Sequence, residues 1–182
     1  YVYYVTQYDG ICEGLPATIT VERQTVPAPT ISGNKTICEN EELPLTANNE
    51  VHWYSESPET ATTYQTSMEH TVSYNTAGTY NLWVVRQDTY CSSNAVQLTI
   101  NVNAIPDAPA ITVNDVCEGS DVQFSATGTD IKWYKNSALV EEGATYSLQS
   151  VPAGSVQVSA TQTVNGCTSA EAQSTATIHI IP

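Results

Sequence analysis

The stretch YNLWVVRQDTYC, residues 80–91, decides how the rest of the chain is read. Apolar side chains alternate at Tyr80, Leu82 and Val84, the period of a half-buried strand, and the run ends in an Asp-Thr-Tyr-Cys turn. The same strand and turn recur as YVYYVTQYDGIC at residues 1–12 and as VQVSATQTVNGC at residues 156–167. Cys12 and Cys91 are 79 residues apart, Cys38 and Cys117 also 79, Trp53 and Trp133 80, and Cys91 and Cys167 76. Each hairpin cysteine is followed after 15 residues by a proline, Pro27, Pro106 or Pro182, and VPAPTIS (26–32) matches IPDAPAIT (105–112). A repeat of about 79 residues with Pro-rich seams results.

Three segments follow from that period. Residues 1–26 are read as the last strands of a repeat whose earlier part precedes residue 1, and residues 27–105 and 106–182 as two complete copies. The middle copy offers the strand candidates PTISG, ELPLTA, EVHWYS, TTYQTS, HTVSY, TYNLWVVRQ and NAVQLTINV, separated by turns such as NTAGT. Short strands at roughly 10-residue spacing, with no helical periodicity, predict an all-β chain of tandem immunoglobulin-like sandwiches.

The 19 acidic residues outnumber the 5 basic ones among 182, which argues against nucleic acid and anionic membranes as partners. No apolar run approaches the ~20 residues of a membrane-spanning helix. Catalysis finds no support: His52, His70 and His179 are scattered, and elbow, phosphate-loop and zincin motifs are absent. The chain is read as not an enzyme. Calcium at the seam acids Asp107, Asp115, Glu118 and Asp121 is the rival to no cofactor at all, although the regular Asp-rich loop with its turning glycine is missing. Asn34-Lys35-Thr36 matches a glycosylation acceptor and is taken as a chance match.

Cys38 and Cys91 fall in one copy, as do Cys117 and Cys167, so spacing predicts two within-copy disulfides, Cys38–Cys91 and Cys117–Cys167, with Cys12 left unpaired by truncation. Each would contribute roughly 4 kcal/mol on the chain-entropy model. Comparing copies, Tyr80, Leu82 and Val84 align with Val156, Val158, Ala160 and with Tyr1, Tyr3, Val5 and are assigned to the core. Trp83 and Val85 fall on the opposite face. Trp53 and Trp133 are assigned inward, and His52 and Tyr54 outward. Tyr54, Trp83 and His52 then form a candidate glycan contact, since sugar C–H faces stack on aromatic rings, with an ordinary cross-strand pair as the competing reading.

The stretches GTYNLWVVRQDTYCSSNAVQLTINV, VSATQTVNGCTSAEAQSTATI and YYVTQYDGICEGLPATITV, with Trp-Tyr one strand cluster earlier in the complete copies, resemble the Ig-like and PKD-like repeats of large Bacteroidota surface adhesins. That family includes gliding-motility adhesins exported by type IX secretion. The resemblance implies an extracellular, cell-surface location. It implies structural or adhesive spacer repeats of a secreted filament, whose partners are neighbouring repeats of the same polypeptide and surface polysaccharide. The alternative is an accessory carbohydrate-binding module of a secreted polysaccharide-degrading enzyme. On an immunoglobulin layout the bridge is expected to tie the hairpin turn to the start of the second strand, at one end of each sandwich.

Overall fold

A computed structural model describes every residue except 34, 62 and 63. The glycosylation-like Asn34 and part of the TTYQTS strand candidate therefore lie outside the described residues. Among the described residues all regular structure is β. The first segment holds β1 (Val2–Val5) and β2 (Ala17–Thr20). The middle copy holds β3 (Ile31–Ser32), β4 (Thr36–Cys38), β5 (Glu42–Tyr54), β6 (Gln65–Ser73), β7 (Gly78–Val85) and β8 (Val96–Asn103). The third holds β9 (Ala110–Val113), β10 (Val116–Cys117), β11 (Val122–Thr127), β12 (Lys132–Lys135), β13 (Ala138–Glu142), β14 (Thr145–Leu148), β15 (Gly154–Thr161), β16 (Thr163–Val164), β17 (Cys167–Thr168) and β18 (Ala172–His179).

Packing groups the chain into two compact units. One comprises Tyr1–Ser32, Leu45–His70 and Asn81–Leu98; the other comprises Gly33–Pro44, Thr71–Tyr80 and Thr99–Pro182.

In the second unit the third copy forms a two-layer sandwich. One sheet has the order β9–β11–β14, the other β10–β18–β15–β12–β13. That order, with the last strand flanked by the strand before it and by a short parallel first-strand extension, is immunoglobulin-like. Alternation builds the core: Val122, Phe124 and Ala126 of β11 face Trp133, Val158, Ala160, Ala176 and Ile178. Trp133 is fully buried and donates its Nε1–H to the Gly143 carbonyl at 2.9 Å, which lets a polar indole sit in an apolar interior. Removing those apolar side chains from water at about 25 cal/mol per Å² drives the two layers together.

In the first unit β5 carries Leu45, Ala47, Val51 and Trp53 to the buried side, and β7 carries Leu82 and Val84. Trp53 matches Trp133: it is 2% exposed and donates to the Ser67 carbonyl at 3.1 Å. The inward assignments of Trp53, Trp133, Leu82, Val84, Val158 and Ala160 agree with the observed burial. Val85 departs from its outward assignment and is buried, as is its counterpart Thr161. Each is the last residue of its strand and pairs across to the start of the Trp-bearing segment, Val85 with His52 and Thr161 with Lys132.

The first segment departs further. β1 pairs with β2 in the register Val2↔Thr20 to Val5↔Ala17, the expected hairpin. Yet Tyr1, Tyr3 and Val5, assigned to a core, are exposed at 79%, 55% and 51%. Two strands present a face, and burying it takes a second layer.

Candidate functional site

Three hairpins share one construction. In the first, the Asp9 carboxylate accepts from the backbone N–H of Cys12 at 2.8 Å and of Ile11 at 2.9 Å. In the second, Asp88 accepts from Tyr90 at 3.0 Å and from Cys91 at 2.8 Å. These bonds favour the charged form, the Cys12 and Tyr90 amides contributing most, and hold both carboxyls below their ordinary pKa. The third hairpin uses Asn165 and Gly166 with φ of 51° and 83°, the left-handed pair of a two-residue turn, and closes Val164 against Cys167. One strand bond outside each turn is conserved in geometry: Gly14 N–H to Gln7 O at 2.7 Å, Ser93 N–H to Arg86 O at 2.8 Å, and Ser169 N–H to Gln162 O at 2.9 Å.

The seam-side cysteines share a second construction. β4 runs parallel to β8 with Cys38 opposite Asn103, and β10 runs parallel to β18 with Cys117 opposite His179. The next residue closes on the same partner: Glu39 N–H donates to Asn103 O at 3.0 Å and Glu118 N–H to His179 O at 2.9 Å. A left-handed residue then turns the chain, Asn40 at φ 63° or Gly119 at φ 77°. Its N–H donates to Tyr74 O at 2.8 Å or to Val151 O at 2.9 Å.

These two constructions correct the expected cysteine pairing. Neither Cys38–Cys91 nor Cys117–Cys167 forms. Cys38 is bonded to Cys167, with Cα atoms 5.7 Å apart and 129 residues between them in sequence, while Cys12, Cys91 and Cys117 are free. The reason is strand parity. β18 has 8 residues, and at about 3.4 Å each its ends lie roughly 24 Å apart. Cys117 sits beside the last of them and Cys167 in the hairpin before the first, far beyond the ~7 Å that a disulfide tolerates between Cα atoms. The start of the second strand and the hairpin turn occupy opposite ends of a sandwich, so the expectation of a bridge at one end fails.

Around the bridge, within the second unit, the seam is held at several points. Ile105 N–H donates to Glu39 Oε2 at 3.2 Å, and the other carboxylate oxygen accepts from Ala77 N–H at 2.7 Å. Asn103 Nδ2 donates to Asn165 O at 2.9 Å, and Gln162 Nε2 donates to Asp107 O at 2.8 Å while its Oε1 accepts from Thr129 N–H at 3.1 Å. Of the seam acids considered for calcium, Asp115 accepts from Thr177 N–H at 2.8 Å, Asp121 from Ser150 N–H at 2.9 Å and Glu118 from Ile181 N–H at 3.4 Å. Among the described residues no group of three or more His, Cys, Asp or Glu is placed to hold a metal.

In the first unit the candidate glycan residues lie together in part. Tyr54 and Trp83 are directly opposite across β5 and β7, and both are half-buried. His52 stacks on Tyr64 at 4.1 Å and 15°, and Tyr54 lies 5.5 Å from the same ring. Tyr64, 56% exposed, is the residue that sequence reasoning missed. It precedes β6 and carries no alternation to mark its side. Burial, and secondarily the neighbouring Tyr64, push the Tyr54 phenol up. On the inner side of β5, His70 stacks on Trp53 at 5.1 Å, and burial holds its imidazole below the ordinary value.

No family model matches the chain, and the search of curated proteins found no match. Among solved structures it is similar to the fibronectin(III)-like modules of Clostridium thermocellum CbhA, at 12% identity and TM-score 0.49, over 83% of this chain and 95% of that one. It is similar also to a segment of two fibronectin type-III domains from chicken tenascin, at 12% identity and TM-score 0.37, over 83% and 99% of the chains. Murine CEACAM1b matches at 11% identity and TM-score 0.39, over 84% and 100%. Identities this low bear on fold alone, and the immunoglobulin-like assignment rests on the strand order of the third copy.

Proposed function

We propose that the chain consists of structural spacer repeats of a secreted bacterial surface protein, a filament or adhesin of the kind its sequence resembles, with adjoining repeats as its immediate partners. The observation that carries this reading is the Cys38–Cys167 bridge. It joins two sequence copies instead of closing one, and a disulfide of this kind belongs to an oxidising, extracellular setting. Tension applied at residues 1 and 182 passes through the bridge and bypasses the 129-residue separation between its ends. At about 3.5 Å per extended residue, that withholds about 450 Å of chain from extension. A spacer that must keep its length under load gains from such a device, whereas a catalytic module would need a cleft and titratable groups gathered in it.

Pulling the oxidised chain from its termini in a single-molecule instrument tests the proposal. The expected result is that reductant adds about 450 Å to the length released on unfolding. Release of the whole length under oxidising conditions would refute it.

A second reading, an accessory glycan-binding module, is favoured by the His52–Tyr54–Tyr64 ring cluster beside Trp83. Binding of the intact chain to immobilised polysaccharides, lost in Trp83→Ala and Tyr64→Ala, would support it. No binding to any polysaccharide would remove it.

A further inference from the structure

The bridge supplies a rule for the three cysteines it leaves free. Cys38 is a seam-side cysteine, opposite the final strand residue of its copy, and Cys167 is a hairpin cysteine of the copy that follows in sequence. Cys117 repeats the strand pairing and the turn contacts of Cys38, although the Cys38 N–H bond to Glu41 Oε2 and the Glu39 bond to Ala77 N–H belong to the Cys38 site. It stands opposite His179 as Cys38 stands opposite Asn103, Glu118 repeats both contacts of Glu39 to the exit strand and seam, and Ser120 N–H returns to Cys117 O at 3.1 Å as Glu41 N–H returns to Cys38 O at 3.1 Å. Ile180-Ile181-Pro182 then follows as Ala104-Ile105-Pro106 does. Cys12 and Cys91 sit at the hairpin position of Cys167, with the same strand bond closing each turn.

We infer that Cys117 is a docking point for the hairpin cysteine of a further copy of this repeat, and that Cys91 and Cys12 are the hairpin halves of bridges to the seam-side cysteine of the copy before each. The repeat would then form a ladder in which every module is joined covalently to the next. This rests on the tandem-repeat reading above. A formed bond in the same molecule, between residues in the two matching environments, is what lifts the free thiols above isolated cysteines. The rule also accounts for which thiols are free: within this sequence only Cys38 and Cys167 stand in the seam-to-next-hairpin relation.

Oxidised glutathione suffices as the oxidant. The Cys117 thiolate attacks one glutathione sulfur, breaking that disulfide and releasing one reduced glutathione. The hairpin thiolate of the further copy then attacks the Cys117 sulfur of the mixed disulfide and expels the second. Two thiols lose two protons and two electrons, one Sγ–Sγ bond forms, and two glutathione thiols are produced.

The test extends the full chain after Pro182 by a second copy of residues 107–182, which restores the Ile-Pro seam. The protein is refolded in a glutathione redox buffer, alkylated and mapped by mass spectrometry without reduction. The expected result is Cys117 linked to the added hairpin cysteine, its alkylation falling to the level of Cys38, with Cys38–Cys167 intact and Cys12 and Cys91 alkylated. In Cys117→Ser of the same extended chain, the added hairpin cysteine should become fully alkylated. Cys117 alkylated, or bonded to Cys91, while Cys38–Cys167 persists would overturn the inference and leave the tandem reading standing. Loss of Cys38–Cys167 itself would overturn both.

Discussion

Replacing Cys38 by serine isolates the energetic consequence of a bridge between copies. The bond closes a loop of 129 residues. On the chain-entropy model, cross-linking a loop of that length removes about 17 cal/mol/K from the unfolded ensemble, or about 5 kcal/mol at 25 °C. For a chain of this size each kcal/mol moves the melting temperature by roughly 2–4 °C, so Cys38→Ser should lower the main transition by about 10–20 °C. Cys167→Ser should do the same, and the double variant no more than either, because both remove one bond. Cys91→Ser should shift the transition by no more than ~2 °C. Scanning calorimetry on these four variants, Cys117→Ser and the unsubstituted chain at one concentration, with and without reductant, reads these values. If Cys91→Ser matched Cys38→Ser while Cys167→Ser matched Cys117→Ser, the within-copy pairing would be right and the parity argument wrong.

Trp133→Ala should destabilise the third copy by about 3–5 kcal/mol, and Trp133→Phe by less, with loss of the indole bond to Gly143 contributing about 1 kcal/mol; urea denaturation followed by fluorescence measures both. Asp88 and Asp9 have folded-state pKa values lowered first by the Tyr90 and Cys12 amides respectively, so their contribution is present above the unfolded value of 3.8 and is lost as pH falls through the folded one. Amide shifts of Tyr90, Cys91, Ile11 and Cys12 should therefore change together below about pH 4, and Asp88→Asn should leave the second hairpin's shifts independent of pH there. His70 is a base with a lowered folded-state pKa, so the folded form binds fewer protons than the unfolded one and stability should fall as pH drops from the ordinary value of 6.5 through the folded one. His70→Phe should flatten that dependence, and a measured His70 pKa above 6.5 would contradict it.

The parts of the fold legible in the sequence are those that depend on local alternation. Leu82, Val84, Val158 and Ala160 could be assigned inward because the side-chain period of a strand is two and the copies could be compared. The Trp53 and Trp133 positions followed in the same way. The bridge was not legible, because the separation of two cysteines says which copy each belongs to and nothing about which end of a sandwich it occupies. That depends on strand direction: one more traversal sends the hairpin turn to the end opposite the seam-side cysteine. Val85 and its counterpart Thr161 are buried against the alternation, because a period of two says nothing about what packs over the end of a strand. Tyr64 was missed since its place against His52 is set by the path of the chain entering β6, outside any periodic pattern.

The central claim is that the disulfide links successive copies, and its most direct measurement is peptide mapping of the oxidised 182-residue chain after its free thiols are alkylated. The account predicts one cross-linked pair, Cys38 with Cys167, and label on Cys12, Cys91 and Cys117. Cross-linked peptides joining Cys38 to Cys91 and Cys117 to Cys167 would contradict it.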